Sequence, residues 1–117
     1  MQLFKITSKG TLIGHSKLEF GDPPMGVSHG HFLPSMAYSE IQSKVIGSYG
    51  NQEHLELRAS TEAGVPIPCI AVAIDDHSKD IGPSEIYVEL LGIPYPDYEG
   101  FFPHHVALYE KRFPPAP

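Results

Sequence analysis

Cysteine is almost absent from this chain of 117 residues: Cys69 stands alone, so neither an intramolecular disulfide nor a thiolate metal cluster can form within one copy. It falls in the apolar run 67–74, where a buried thiol acting as a small hydrophobe is expected. A cysteine nucleophile needs an electropositive, partly exposed setting with a nearby base, and the local sequence supplies neither. No apolar run reaches the roughly 18 residues that span a bilayer. Residues 1–7 lack the basic head and long apolar stretch of a secretion signal; they predict a first strand, and a cytoplasmic location is the default expectation.

Cations are also scarce, with 8 Lys and Arg against 14 Asp and Glu and a net charge of −6. A nucleic-acid binder gathers positive groups on one face to displace counterions from phosphates, so binding of nucleic acid is not expected, and neither is a membrane association. The deficit is local. Between residues 75 and 99 lie Asp75, Asp76, Asp80, Glu85, Glu89, Asp97 and Glu99 against Lys79 alone. Such a segment suits electrostatic steering of a basic protein partner, although a solvated face that keeps a small protein soluble has the same composition.

What the chain has in excess is 11 glycines and 12 prolines, well above the roughly 12% of ordinary usage. They fall between apolar runs of ordinary length, which predicts short elements joined by stiff turns. Alternation over residues 2–7 and 11–20 predicts a hairpin turning at 8–10. Residues 21–34, with Pro23, Pro24 and several glycines, predict a long structured loop. Ser35 is a candidate cap for a helix with a Tyr38, Ile41 and Val45 stripe ending at Gly47. Strict alternation puts Leu55, Leu57 and Ala59 inward on a strand over 54–60.

The run 69–74 predicts a central strand whose small residues Cys69, Ala71 and Ala73 lie under a helix. A further strand over 85–91 puts Glu85, Tyr87 and Glu89 on one face. Pro103 opens a helix over 104–113 that buries Val106, Tyr109 and Phe113 and stops at Pro114 and Pro115. Together these elements predict one α+β domain over residues 1–117, with a mostly antiparallel sheet of about five strands and two helices, one packed on a sheet face.

Seven histidines are the main chemical feature, because imidazole both ligates metals and carries protons near neutral pH. In an extended backbone His29 and His31 project to the same side. With His15 or Asp75 they form a candidate site for a divalent metal, and with Asp22 a candidate acid–base site. The pair, opened by a glycine, is similar to the start of the metal motif of cupins, a family of small β-barrel metalloproteins. That motif supplies a glutamate shortly after its second histidine, where this chain has Pro34 and Ser35, so the resemblance is not adopted.

For partner binding the candidates are Asp76, Asp80 and Glu85 with Tyr95, Tyr98 and Phe101, aromatics on a proline-stiffened segment that lose little entropy when they bind. The same aromatics are equally suited to plugging an open end of the sheet. The expected function is a small non-enzymatic protein-interaction or accessory domain that binds a basic protein. The alternative is a small histidine-dependent enzyme sited at 21–34, and a homo-oligomeric subunit is a third possibility.

Overall fold

The computed structural model describes residues 2–114. Strands β1 (Phe4–Ser8) and β2 (Thr11–Ser16) form the expected antiparallel hairpin. Phe4 and Ile6 are buried on the inward side of β1. The chain continues through β3 (Phe20–Asp22), β4 (Val27–His31), the short β5 (Leu33–Pro34), α1 (Gln42–Gly47), β6 (Leu57–Thr61), β7 (Ala71–Asp76), β8 (Ile86–Leu91), α2 (Asp97–Phe101) and α3 (Pro103–Arg112). Two four-stranded sheets result, ordered β5-β2-β1-β6 and β3-β4-β8-β7, and the strands named in these orders pair antiparallel.

An α+β fold with antiparallel pairing is thus present, but the single sheet of about five strands with two helices is corrected, among the described residues, to two sheets and three helices. The division arises at residues 17–19. The predicted strand over 11–20 breaks there: Leu18 adopts a positive φ of 44° while its side chain is fully buried. The hydroxyl of Ser16 accepts the Leu18 N–H at 3.0 Å. The chain leaves the first sheet at Ser16 and enters the second at Phe20.

The expected loop over 21–34 is the second correction. Pro23 and Pro24 make only a 3-10 turn at Pro23–Met25, and the chain then returns as β4 beside β3. The inward residues of β4 are Ser28 and Gly30. At Gly30 the crossing chain leaves no room for a side chain: a Cβ there would run into the Glu19 carboxylate and meet the Leu18 Cα and Glu19 N at 3.0 Å. Close approach of the Leu18–Glu19 chain, rather than a large apolar side chain on β4, fills the space beside Gly30.

The predicted helix after Ser35 splits into a 3-10 segment, Met36–Glu40, and α1. Ser35 makes no side-chain cap; its hydroxyl donates to Leu12 O at 3.2 Å. Tyr38 and Val45 are nevertheless buried, with Ile41 partly so. Strand β6 starts later than expected because Glu53–Leu55 is a 3-10 turn, and Leu55, Leu57 and Ala59 all point inward.

Strand β7 is an edge strand, not a central one. Cys69 is partly buried rather than enclosed; burial pushes its thiol pKa up, with Arg58 opposing. Ala71 is exposed and Ala73 half-buried, while Val72 and Ile74 face the core. In α3, Val106 is buried as expected, but Phe113 is 57% exposed and the second buried position is His105. Met1 in the predicted first strand and Pro115 in the helix stop lie outside the described residues.

Inward faces of both sheets contribute to one apolar core. Tyr98 and Phe102 close it, the Phe102 ring centroid lying 5.3 Å from those of both Phe4 and Tyr98. Two polar clasps join the segment over 36–52 to β7. Gln52 donates through Nε2 to Val45 O (3.1 Å) and Ile74 O (2.8 Å) and accepts the Ile74 N–H at Oε1 (2.8 Å). Asp76 accepts from the Tyr38 hydroxyl (2.6 Å), Gln42 Nε2 (3.1 Å), and the Ser78 N–H (2.8 Å) and hydroxyl (2.6 Å). Burial alone would raise the Asp76 pKa, but these donors together hold it below the usual carboxylate range. Among the described residues no helix is long and apolar enough to cross a membrane.

Candidate functional site

Register assembles the candidate residues on the outer face of the second sheet. His29 on β4 stands opposite Phe20 on β3 and Glu89 on β8, and Glu89 stands opposite Ala73 on β7. The next row places His31 opposite Tyr87, and Tyr87 opposite Asp75. Paired residues of antiparallel strands share a face, so these side chains point outward while Val72, Ile74, Val88 and Leu90 point into the core. His29 and His31 are exposed; Asp75, Tyr87 and Glu89 are half-exposed.

The rings pack in pairs, Phe20 with His29 at 5.5 Å between centroids and His31 with Tyr87 at 5.0 Å. Two imidazoles are held by carboxylates, His31 Nδ1 by Glu19 Oε2 at 3.2 Å and His77 Nε2 by Asp75 Oδ2 at 2.9 Å. The Tyr87 hydroxyl donates to Glu85, which with modest desolvation pushes the Tyr87 pKa up. Tyr49 also lies close: the Glu89 carboxylate, followed by burial and by Asp75, raises its pKa.

The two sheets differ in charge. Strands β3, β4, β7 and β8 contain Asp22, Asp75, Asp76 and Glu89 and no lysine or arginine. Strands β1, β2, β5 and β6 contain Lys5 and Arg58 and no carboxylate. An open face with carboxylates, aromatic rings and no cation of its own can hold ammonium and guanidinium groups by charge-assisted hydrogen bonds and by contact with ring faces.

His29, His31, Asp22 and Asp75 are therefore brought to one face, on strands rather than in a loop. His15 is not among them. It lies on β2, paired with Lys5 and Leu33 in the first sheet, which corrects its assignment to the histidine pair. Among the described residues no three His, Cys, Asp or Glu side chains form a group suited to a metal ion. Ser28, next to His29 in sequence, is fully buried on the opposite face, so the two do not make a nucleophile–base pair.

The partner-binding candidates separate. Asp80 is exposed, and Glu85 sits beside Tyr87. Asp76 is committed to Tyr38, Gln42 and Ser78. Tyr95 is exposed, with its hydroxyl donating to Glu99, whereas Tyr98 is 0% exposed and Phe101 packs partly against the core. Tyr98 is thus corrected from a surface anchor to part of the core plug. Phe20 and Tyr87 supply the aromatic rings of the open face. Alternation over 85–89 had already put Tyr87 beside Glu85 and Glu89; the involvement of Phe20, Glu19 and His77 follows only from strand pairing and chain crossing.

A second imidazole cluster is internal. The Tyr98 hydroxyl lies 2.8 Å from Val27 O and 2.9 Å from His105 Nδ1. The carbonyl can only accept, so Tyr98 donates to Val27 and His105 Nδ1–H donates to Tyr98. Burial lowers the His105 pKa from 6.5 to about 4; the positive potential of His104 and His29 adds to this, against the backbone of Leu18 and Glu19. The unfolded chain therefore takes up a proton that the native fold refuses. Stability is fully present above about pH 6.5 and falls as pH drops toward about 4, with a limiting slope of about 1.4 kcal/mol per pH unit. Urea unfolding across that window is expected to show the decline in the native sequence and a flatter profile in His105→Gln; equal slopes would contradict a buried neutral imidazole.

No family model matches this chain, and no curated protein or solved structure matches it.

Proposed function

We propose that this chain is a protein-interaction domain that docks a basic partner on the open face of its second sheet. The observation that carries this reading is the one-sided charge of that sheet: its strands carry carboxylates and no lysine or arginine, beside the outward rings of Phe20 and Tyr87. Such a face raises the local concentration of a basic ligand before contact and retains its cationic side chains afterwards. The rings are already paired with neighbours, so little side-chain freedom is lost on docking.

A lysine- and arginine-rich synthetic peptide serves as the probe. Glu85→Lys with Glu89→Lys is expected to slow its association by about tenfold at low salt and to flatten the salt dependence. Glu40→Lys with Glu110→Lys makes the same change in net charge at two exposed positions outside the second sheet and is the control. If both double variants slow association equally, net charge is acting and the open face is not the site. If neither does, steering by this face is excluded.

A further inference from the structure

Beside the open face, the second sheet ends in an edge that pairs with no further strand among the described residues. β7 pairs with β8 on one side only. On its other side the N–H and C=O of Ile74 are both held by the Gln52 side chain, each at 2.8 Å. Backbone groups of a strand alternate sides with a period of two residues, so those of Val72 point the same way. Among the described residues no side chain continues the Gln52 clasp there. Residues 70–73 instead border a groove of about 810 Å³, whose opposite wall includes Leu57 and Arg58 of β6.

Exposed edges are usually blunted by lysine, proline, a bulge or a covering loop. The β7 sequence Ala-Val-Ala-Ile-Asp-Asp has no lysine or proline, and its register with β8 runs unbroken from Ala71 to Asp76. Gln52 covers the edge at Ile74 and leaves it open at Val72. The groove walls carry Glu53, Glu56 and Glu89 against one cation, Arg58, whose Nη1 already donates to Leu57 O at 3.0 Å. Ile70 is 86% exposed at the same place. On the outward side the small Ala73 stands opposite Glu89, so a long side chain from an added strand can pass over it to the carboxylate.

We infer that the β7 edge accepts an extended basic polypeptide segment as an added strand, its backbone pairing with Val72 and its cationic side chains reaching Glu53, Glu56 and Glu89. Main-chain pairing supplies affinity and the carboxylates select the side chains. Four residues of edge correspond to about 13 Å of strand, so the core of the segment is short. The sign of the partner's charge rests on the function proposed above; the mode of binding does not.

The test uses isotope-labelled protein and the probe acetyl-(Lys-Val)3-Lys-amide, with two comparison peptides: one with proline in place of the central valine, and one with glutamate in place of every lysine. Strand addition is expected to slow hydrogen exchange at the Val72 amide at least about tenfold at saturation, and the proline peptide is expected to bind at least about tenfold more weakly. Chemical-shift changes centred on His29, His31 and Tyr87 with unchanged Val72 exchange would overturn the edge inference and leave the basic-partner reading intact. Equal binding of the glutamate peptide would overturn the choice of a basic occupant. Failure of the basic peptide to bind at all overturns both. Val72 protection that rises with protein concentration in the absence of peptide would assign the edge to a second copy of the chain instead.

Discussion

Replacing Gln52 with leucine is expected to lower the unfolding free energy by about 4 kcal/mol, because it strips two buried backbone groups of their partner at about 1–3 kcal/mol each while keeping most of the side-chain volume. Gln52 is buried, and its amide answers both the N–H and the C=O of Ile74. Its third hydrogen-bond partner, Val45 O, is less exposed to the loss because the Ser48 N–H also reaches it at 3.3 Å. Urea denaturation with an unchanged m-value would report the effect as stability alone. Gln52→Glu is expected to fall between the two, since a carboxylate accepts from Ile74 N–H but cannot donate to its carbonyl. A loss under about 1 kcal/mol would mean that water entering from the adjacent groove replaces the amide. The leucine variant also lengthens the uncovered edge of β7 from Val72 to Ile74, so concentration-dependent self-association is expected with it.

The elements that could be read from the sequence are those whose large apolar residues repeat toward a single core. The first hairpin, the strand over 85–91, the Tyr38 and Val45 stripe and the Pro103 helix start all have that signal. β4 does not. Its inward positions are Ser28 and Gly30, and what lies against Gly30 is the backbone of Leu18 and Glu19 with the Glu19 carboxylate, a complementarity of size that hydropathy does not register. β7 misleads for the opposite reason: Ala71 and Ala73 resemble a covered small-residue face, yet alanine is equally tolerated on an open one, and the sequence does not say that a glutamine twenty-two residues earlier would take the edge position.

The number of sheets turned on a single residue. Leu18 continues the apolar alternation of 11–20, and nothing in that pattern announces its positive φ. The candidate site follows the same division. That His29 and His31 share a side was legible from their spacing, and so was the face shared by Glu85, Tyr87 and Glu89. That the two groups lie on adjacent strands of one sheet, with Asp75 beyond them and His15 in the other sheet, depends on register.

Gly21→Ala is expected to be about as damaging as the loss of Gln52, costing about 4 kcal/mol, and to act on the open face from behind. Gly21 of β3 pairs with Ser28 of β4, and a Cβ on it would enter the van der Waals shells of the Tyr98 hydroxyl and His105 Nδ1. Neither group has room to retreat. Tyr98 is fully buried and bonded to Val27 O, while the His105 ring is stacked on Phe102 at 5.0 Å. Overpacking of this kind costs about 1–3 kcal/mol, and displacing the hydroxyl adds about 1–3 kcal/mol for an unpaired buried group.

Tyr98→Phe removes the obstructing oxygen, so the Gly21→Ala, Tyr98→Phe pair is expected to be more stable than the sum of its members by at least about 1 kcal/mol in a double-mutant cycle. Additive losses would show that the methyl is accommodated elsewhere. Because Phe20 precedes Gly21 on the same three-residue strand and packs on His29, a Gly21→Ala protein that still folds should bind the basic probe more weakly, although no residue of the open face has been changed.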